Sequence, residues 1–177
     1  YESAEPIEAG PVRVASRRVK LPAKTFASLE EAEQAVADLE GELERLRKQH
    51  GAKGSIYWVN ARLERGRAAL ESMRTGEPQP PVTADMWALG LGEVGLATAP
   101  GEIFCEIGRA VKEGSPFAHT MFLGYTNGSI GYVPVPEAYP EGGYEVSHAS
   151  RVGPEAAGMV TDTALGLLRK VRGRRGR

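Results

Sequence analysis

Apolar residues recur along the chain with two different periods, and the points where the period changes divide it. From Tyr1 to Phe26, Pro6, Pro11 and Pro22 are mixed with Val12, Val14, Val19 and Leu21, a pattern of one or two strands or extended segments. At Ser28 the pattern switches. Ser28 and Glu31 stand three apart as a capping box, which satisfies the free N–H groups of a helix start. Leu29, Ala32, Val36, Leu39, Leu43 and Leu46 then recur at spacings of three and four, so they form one seam of a helix ending near Gly51. After Gly51-Ala52-Lys53-Gly54 the same spacing returns in Ile56, Val59, Leu63, Gly66, Leu70 and Met73. Two such seams can close on each other as an antiparallel hairpin, and the Glu, Arg and Lys on the other faces are most simply solvated. The seams could instead recruit a partner coil. Tyr57 and Trp58 lie beside the seam, where aromatic side chains can anchor a hairpin to a neighbour.

Gly76 to Pro81 reads as a linker, because its prolines remove ladder donors and break helices. Beyond it, Asp85 to Gly92 and Val94 to Thr98 are apolar runs broken by glycine, predicting buried strands with a tight turn near Gly92-Glu93. Ile103, Ile107, Ala110 and Val111 predict a helix that begins at or beside Glu102 and stops at Gly114. The alternation from His119 to Tyr125, followed by Asn127-Gly128 and Ile130 to Val133, predicts a β-hairpin. Pro134, Pro136 and Pro140 then predict an irregular loop holding Glu137 and Tyr139. Pro154 and Glu155 open a last helix whose buried stripe is Met159, Val160, Thr163, Ala164, Leu167, Leu168 and Val171. The expected organisation is an extended or strand segment at 1–27, an inserted helical hairpin at 28–75, a linker at 76–84, a second unit at 85–172 and a basic tail at 173–177.

Composition narrows the classes. With 41% apolar and 25% charged residues among 177, the chain is of globular type and nothing in it reads as membrane-spanning. A formal charge of -1 gives no general field for nucleic acid or anionic lipid. Only the cluster Arg169, Lys170, Arg172, Arg174, Arg175 and Arg177 could act locally, either as a solvated terminus or by steering toward anionic headgroups in peripheral membrane contact. It has no interleaved aromatics for stacking bases, so no nucleic-acid partner is expected. The lone Cys105 rules out an internal disulfide and is expected to be a small buried residue. The first twenty residues hold no apolar signal-type stretch, so localisation signals are expected upstream of Tyr1.

On residue chemistry alone Glu102 is a helix-start carboxylate and Tyr139 an aromatic covering a loop. The runs Pro100-Gly101-Glu102-Ile103-Phe104, Gly124-Tyr125-Thr126-Asn127-Gly128, Tyr132 to Tyr139, Tyr144-Glu145 and Gly153-Pro154 change that reading. In order and separation they resemble the end of the catalytic domain of the neutral/alkaline ceramidases, over roughly residues 86 to 171. The resemblance implies that this α/β chain, of α+β type with a mixed sheet, is a fragment of a larger layered amidase domain carrying an inserted antiparallel helical hairpin. It further implies a zinc cofactor ligated by Glu102 and Tyr139 together with two histidines from an upstream half of the same domain. The implied reaction hydrolyses the amide of an N-acyl sphingoid base, giving a fatty acid and the free base.

Two departures loosen the substrate. The family's aromatic before Gly-Pro-His is replaced at Arg151 or Val152 after what looks like a one-residue insertion, and the triplet here is Gly153-Pro154-Glu155. A related linear amide or ester is therefore also open. The family's immunoglobulin-like domain finds no counterpart in this stretch. Of the three histidines, His50 reads as a surface residue at a helix end and His119 as a strand start. His148 could serve as a catalytic acid or base near neutral pH, or simply hydrogen bond within its loop. A half-sheet also suggests an exposed edge and apolar face, hence partners in the missing half or in further copies of the chain. The contrasting reading is a non-catalytic scaffold that interacts through the helical hairpin.

Overall fold

The structure is a computed structural model and describes residues 10–173. The segment Tyr1 to Ala9 and the last arginines of the basic cluster, Arg174, Arg175 and Arg177, lie outside the described residues.

The chain folds as mixed α/β in two units. The first contains residues 10–22 and 81–173. Strand β1 (Arg13–Leu21) pairs antiparallel with β2 (Val82–Leu91), which turns at Gly92-Glu93 into antiparallel β3 (Val94–Thr98) as the glycine pattern predicts. Gly92 takes a φ of 56°, the left-handed conformation this turn needs. The sheet continues from β3 to β5 (His119–Leu123) in parallel, so its order is β1-β2-β3-β5. A parallel partner requires a crossover. The short β4 (Glu102–Ile103) and α3 (Cys105–Glu113) supply it.

One face of this sheet is covered. Helix α5 (Ala156–Arg172) presents Ala156, Val160, Ala164 and Leu168, and α3 presents Ile107 and Val111, to Ala84, Met86, Ala88 and Ala97 of the strands. Met86 and Leu168 are fully buried, each worth about 2–3 kcal/mol of transfer free energy. The other face stays open: Val14, Leu89, Leu96 and Met121 stand in one cross-strand row, with Val14 and Met121 more than half exposed. Trp87 and Leu123 lie exposed beside them, and Arg18 and Asp85 pair directly across β1 and β2 at 2.8 Å.

The second unit, Ala23–Pro80, is built of α1 (Leu29–Lys48) and α2 (Lys53–Thr75). Ser28 caps α1 by accepting from the Glu31 N–H, and the Glu31 carboxylate returns to the Ala27 N–H. The two seams bury Ala32, Val36, Leu39 and Leu43 against Val59, Leu63 and Leu70. Glu33 and Glu40, expected on solvated faces, pair across the hairpin with Arg74 and Arg67 at 2.7 Å. Tyr57 and Trp58 stand exposed and meet edge to face. Among the described residues no helix is long and apolar enough to cross a membrane.

Several sequence expectations need correction. Val82 to Ala84 belong to β2 and not to a linker, because β1 offers them ladder partners. The Asn127-Gly128 signal produces a turn with φ values of 62° and 127°, yet no hairpin. β5 pairs with β3, and Tyr132-Val133 pairs in parallel with β4 as β6, so the segments flanking the turn have better partners elsewhere. Cys105 is exposed at the start of α3, where its side chain points away from the core face formed by Ile107 and Val111. Ala110, placed on that apolar face by its spacing, is exposed as well. Arg172, part of the basic cluster, closes α5 at the expected boundary and is not simply solvated: its guanidinium lies over the Phe117 ring and donates to the Gly92 carbonyl at 3.1 Å.

Candidate functional site

The segment 99–104 is a strap with backbone hydrogen bonds on both flanks. On one side Ala99 N–H donates to the Leu123 carbonyl, and the Tyr125 and Thr126 N–H groups donate to the Gly101 and Ala99 carbonyls, at 3.0, 2.9 and 3.3 Å. On the other, Ile130 N–H donates to the Pro100 carbonyl at 2.8 Å, while the Glu102 and Phe104 N–H groups reach the Gly131 and Val133 carbonyls at 3.0 and 3.3 Å. Glycines permit this close approach. A Cβ on Gly101 would lie 2.7 Å from the Gly131 oxygen, and one on Gly124 would lie 2.8 Å from the Gly101 oxygen. Three runs separated in sequence are thereby folded into one place.

This strap also decides the conformation of Glu102. The residue sits in β4 and not at a helix start, since ladder bonds to the 131–133 segment hold it extended, and α3 begins three residues later at Cys105. Its carboxylate is half-buried and accepts from the Tyr125 hydroxyl at 2.9 Å. Tyr132 stands opposite Glu102 in the ladder, and hydrogen bonding to the same carboxylate is the main cause raising its phenol pKa to about 12. The Tyr125 phenol is raised as well, for the same reason. The Tyr125 hydroxyl is thus a donor to this carboxylate, and the Tyr132 phenol stands beside it on the ladder.

A row of rings leads away from this point. Phe104 meets Tyr132, Tyr132 meets Tyr144 and Tyr144 meets His148, all edge to face with centroids 6.4, 6.4 and 6.2 Å apart. His148 is exposed on a single π-helical turn, Glu145–Ala149, a distortion found frequently at functional sites. The sequence pattern had no means of placing it next to a ring row; it has no period of its own.

Tyr139 lies on α4 (Ala138–Glu141), a helical turn where an irregular loop was expected. Pro140 fits there because a first-turn N–H has no partner to lose. The Tyr139 hydroxyl is half-buried and donates to the Val152 carbonyl at 2.7 Å, and burial is the main cause raising its pKa. It makes no hydrogen bond to Glu102, yet the two are linked by neighbouring strands. Ser150 bridges to Gly131 and Tyr132, Tyr132 pairs with Glu102, and Val152 follows Ser150.

The donor set can be weighed against a zinc ion. Glu102 fits a carboxylate ligand: it is accessible and itself hydrogen bonded, as ligating carboxylates are. Tyr139 could join only by releasing Val152. Among the described residues no group of three or more His, Cys, Asp and Glu converges, so a zinc ion here would draw its remaining ligands from elsewhere. His50 is exposed beyond the end of α1 with a φ of 51°, and His119 is exposed at the start of β5; neither approaches as a ligand within such a group. The sequence motifs gave Tyr125 and Tyr132 no role, although a tyrosine two residues before Asn-Gly and another opposite the Glu102 strand are the signals that would have singled them out.

No protein-family model matches the chain, and no curated protein matches it. Among solved structures it is similar to a ceramidase complexed with C2, with 25% identity and a TM-score of 0.45 over 54% of this chain and 16% of that one. It is also similar to the neutral ceramidase from Pseudomonas aeruginosa, with 18% identity and a TM-score of 0.49 over 92% of this chain and 29% of that one. The chain thus spans less than a third of the length of either.

Proposed function

We propose that this chain supplies part of the active site of a ceramidase-like hydrolase, a zinc-dependent enzyme that cleaves a linear amide such as that of an N-acyl sphingoid lipid. The observation that carries this reading is the convergence of Pro100-Gly101-Glu102, Gly124-Tyr125 and Tyr132 on one carboxylate, since these are the runs in which the sequence resembles the ceramidases.

Zinc, when bound, would lower the pKa of water and polarise the amide carbonyl. Glu102 would hold the ion, its carboxylate offsetting part of the metal charge. The Tyr139 phenol, held on the Val152 carbonyl in this structure, would be a hydrogen-bond donor to negative charge developing on the carbonyl oxygen. His148 takes or gives a proton at its imidazole, a task suited to neutral pH. The rings of Tyr132 and Tyr144 give the approach an apolar floor on which an acyl chain or sphingoid base could rest.

The test uses the complete protein with its upstream half. Glu102→Gln should remove most of the zinc and the hydrolysis of an N-acyl sphingosine, because a neutral amide is a poor ligand. Tyr139→Phe should mainly lower kcat. Wild-type zinc content and turnover in both variants would sink the assignment.

A further inference from the structure

We infer that Tyr125 and Tyr132 are positioning residues that fix the Glu102 carboxylate in its ligating orientation, an inference that rests on the reading of Glu102 as a metal ligand. Tyr125 carries a conformational cost. Tyr125 has a φ of 55°, a left-handed conformation that a side chain with a Cβ disfavours, and unlike Asn127 and Gly128 nearby it is not a residue type that adopts it readily. Such strain persists only where surrounding structure enforces it. Here the enforcing bonds are those from the Tyr125 and Thr126 N–H groups to the Gly101 and Ala99 carbonyls.

Packing does not account for the residue. Tyr125 is 73% exposed, so its ring buries little apolar surface. What the conformation achieves is the placement of one hydroxyl, which donates to Glu102 Oε2 at 2.9 Å. Tyr132 approaches the same carboxylate from the partner strand, its ring held between Phe104 and Tyr144. The Tyr125 hydroxyl on the strained turn and the Tyr132 phenol beside it on the ladder restrict the carboxylate rotamer before any cation arrives. Neither hydroxyl needs to touch the metal or the substrate for this.

The experiment measures zinc affinity by chelator competition in the complete protein, alongside the thermal stability of the metal-free form. Tyr125→Phe and Tyr132→Phe keep the rings and remove only the hydroxyls; each should weaken zinc binding roughly tenfold to a hundredfold. Metal-free stability should stay near wild type. Tyr125→Gly should relieve the strain, so metal-free stability should hold or rise while zinc affinity falls as far as in Tyr125→Phe. A merely structural tyrosine would move the two readouts in the same direction. Zinc affinity at the wild-type level in both Phe variants and their double mutant, with Glu102→Gln binding poorly, would overturn the positioning role and leave the ligand standing. Zinc binding unaffected by Glu102→Gln would instead overturn the ligand assignment and this inference with it.

Discussion

The Tyr139 hydroxyl donates to the Val152 carbonyl at 2.7 Å, tying the short helix α4 to the segment that leads into α5. The Ser150 hydroxyl also donates to that carbonyl, at 3.2 Å, so it keeps a partner when the phenol is removed. Tyr139→Phe should therefore destabilise the chain by only about 1 kcal/mol, the net worth of an ordinary hydrogen bond. Denaturant unfolding of the metal-free chain measures this separately from any loss of turnover. A loss above about 3 kcal/mol would mean that Tyr139 supports the fold in a way this bond does not explain.

Gly101→Ala should be worse tolerated. Its new Cβ would press on the Gly131 oxygen, and backbone on both sides of the strap would have to shift, at about 1–3 kcal/mol. Gly41→Ala offers the contrast, since it stands exposed in the interior of α1 with no atom near its missing Cβ. That substitution should stabilise by up to about 1 kcal/mol. Equal effects of the two on the melting temperature would contradict both arguments.

The raised pKa of Tyr132 predicts an alkaline signature. Folding disfavours its ionised phenol, so the folded chain loses stability only as pH rises from the ordinary tyrosine value near 10 toward about 12. Ultraviolet titration of the folded chain should show a late-ionising tyrosine that disappears in Tyr132→Phe. In Glu102→Gln it should move back toward the ordinary value, and no movement there would show that the carboxylate is not the cause.

The open row of Val14, Leu89, Leu96 and Met121 predicts association through the sheet face with another copy of the chain. Met121→Lys should weaken self-association of the isolated chain by about tenfold or more, given the transfer free energy of one such side chain. Sedimentation at several concentrations gives the answer. Association unchanged in Met121→Lys and in Val14→Thr would place the contact elsewhere.

Features written in local sequence were legible: the Ser28 and Glu31 box marks the start of α1, the paired seams mark the hairpin, and Gly92-Glu93 marks the β2–β3 turn. What failed was decided by distant partners. Asn127-Gly128 does specify left-handed backbone, but a turn says nothing about which strands its flanks will join. Ile103, Ile107 and Val111 do share an apolar face, yet the bonds from 102 and 104 to residues 131 and 133 pull the first of them into a strand. In the candidate site Glu102 was visible only through the family resemblance. Tyr125 was missed because its role depends on a backbone conformation and a contact that no periodicity encodes.

The inserted hairpin separates β1 from β2 by roughly sixty residues, but its two ends come together, with the Gln79 side-chain amide donating to the Lys24 carbonyl at 3.1 Å. Closing a flexible loop of that length would cost about 2 kcal/mol more than closing a tight turn. Local helix contacts generally form faster than distant strand pairings, and across the insertion Leu21 pairs directly with Val82. Folding of the edge strand β1 is thereby coupled to a unit that contributes no residue to the sheet. A destabilised seam, for example through Leu63→Ala, should slow the arrival of β1 and leave β2 as a transient edge, open to exchange with the β1 of another chain.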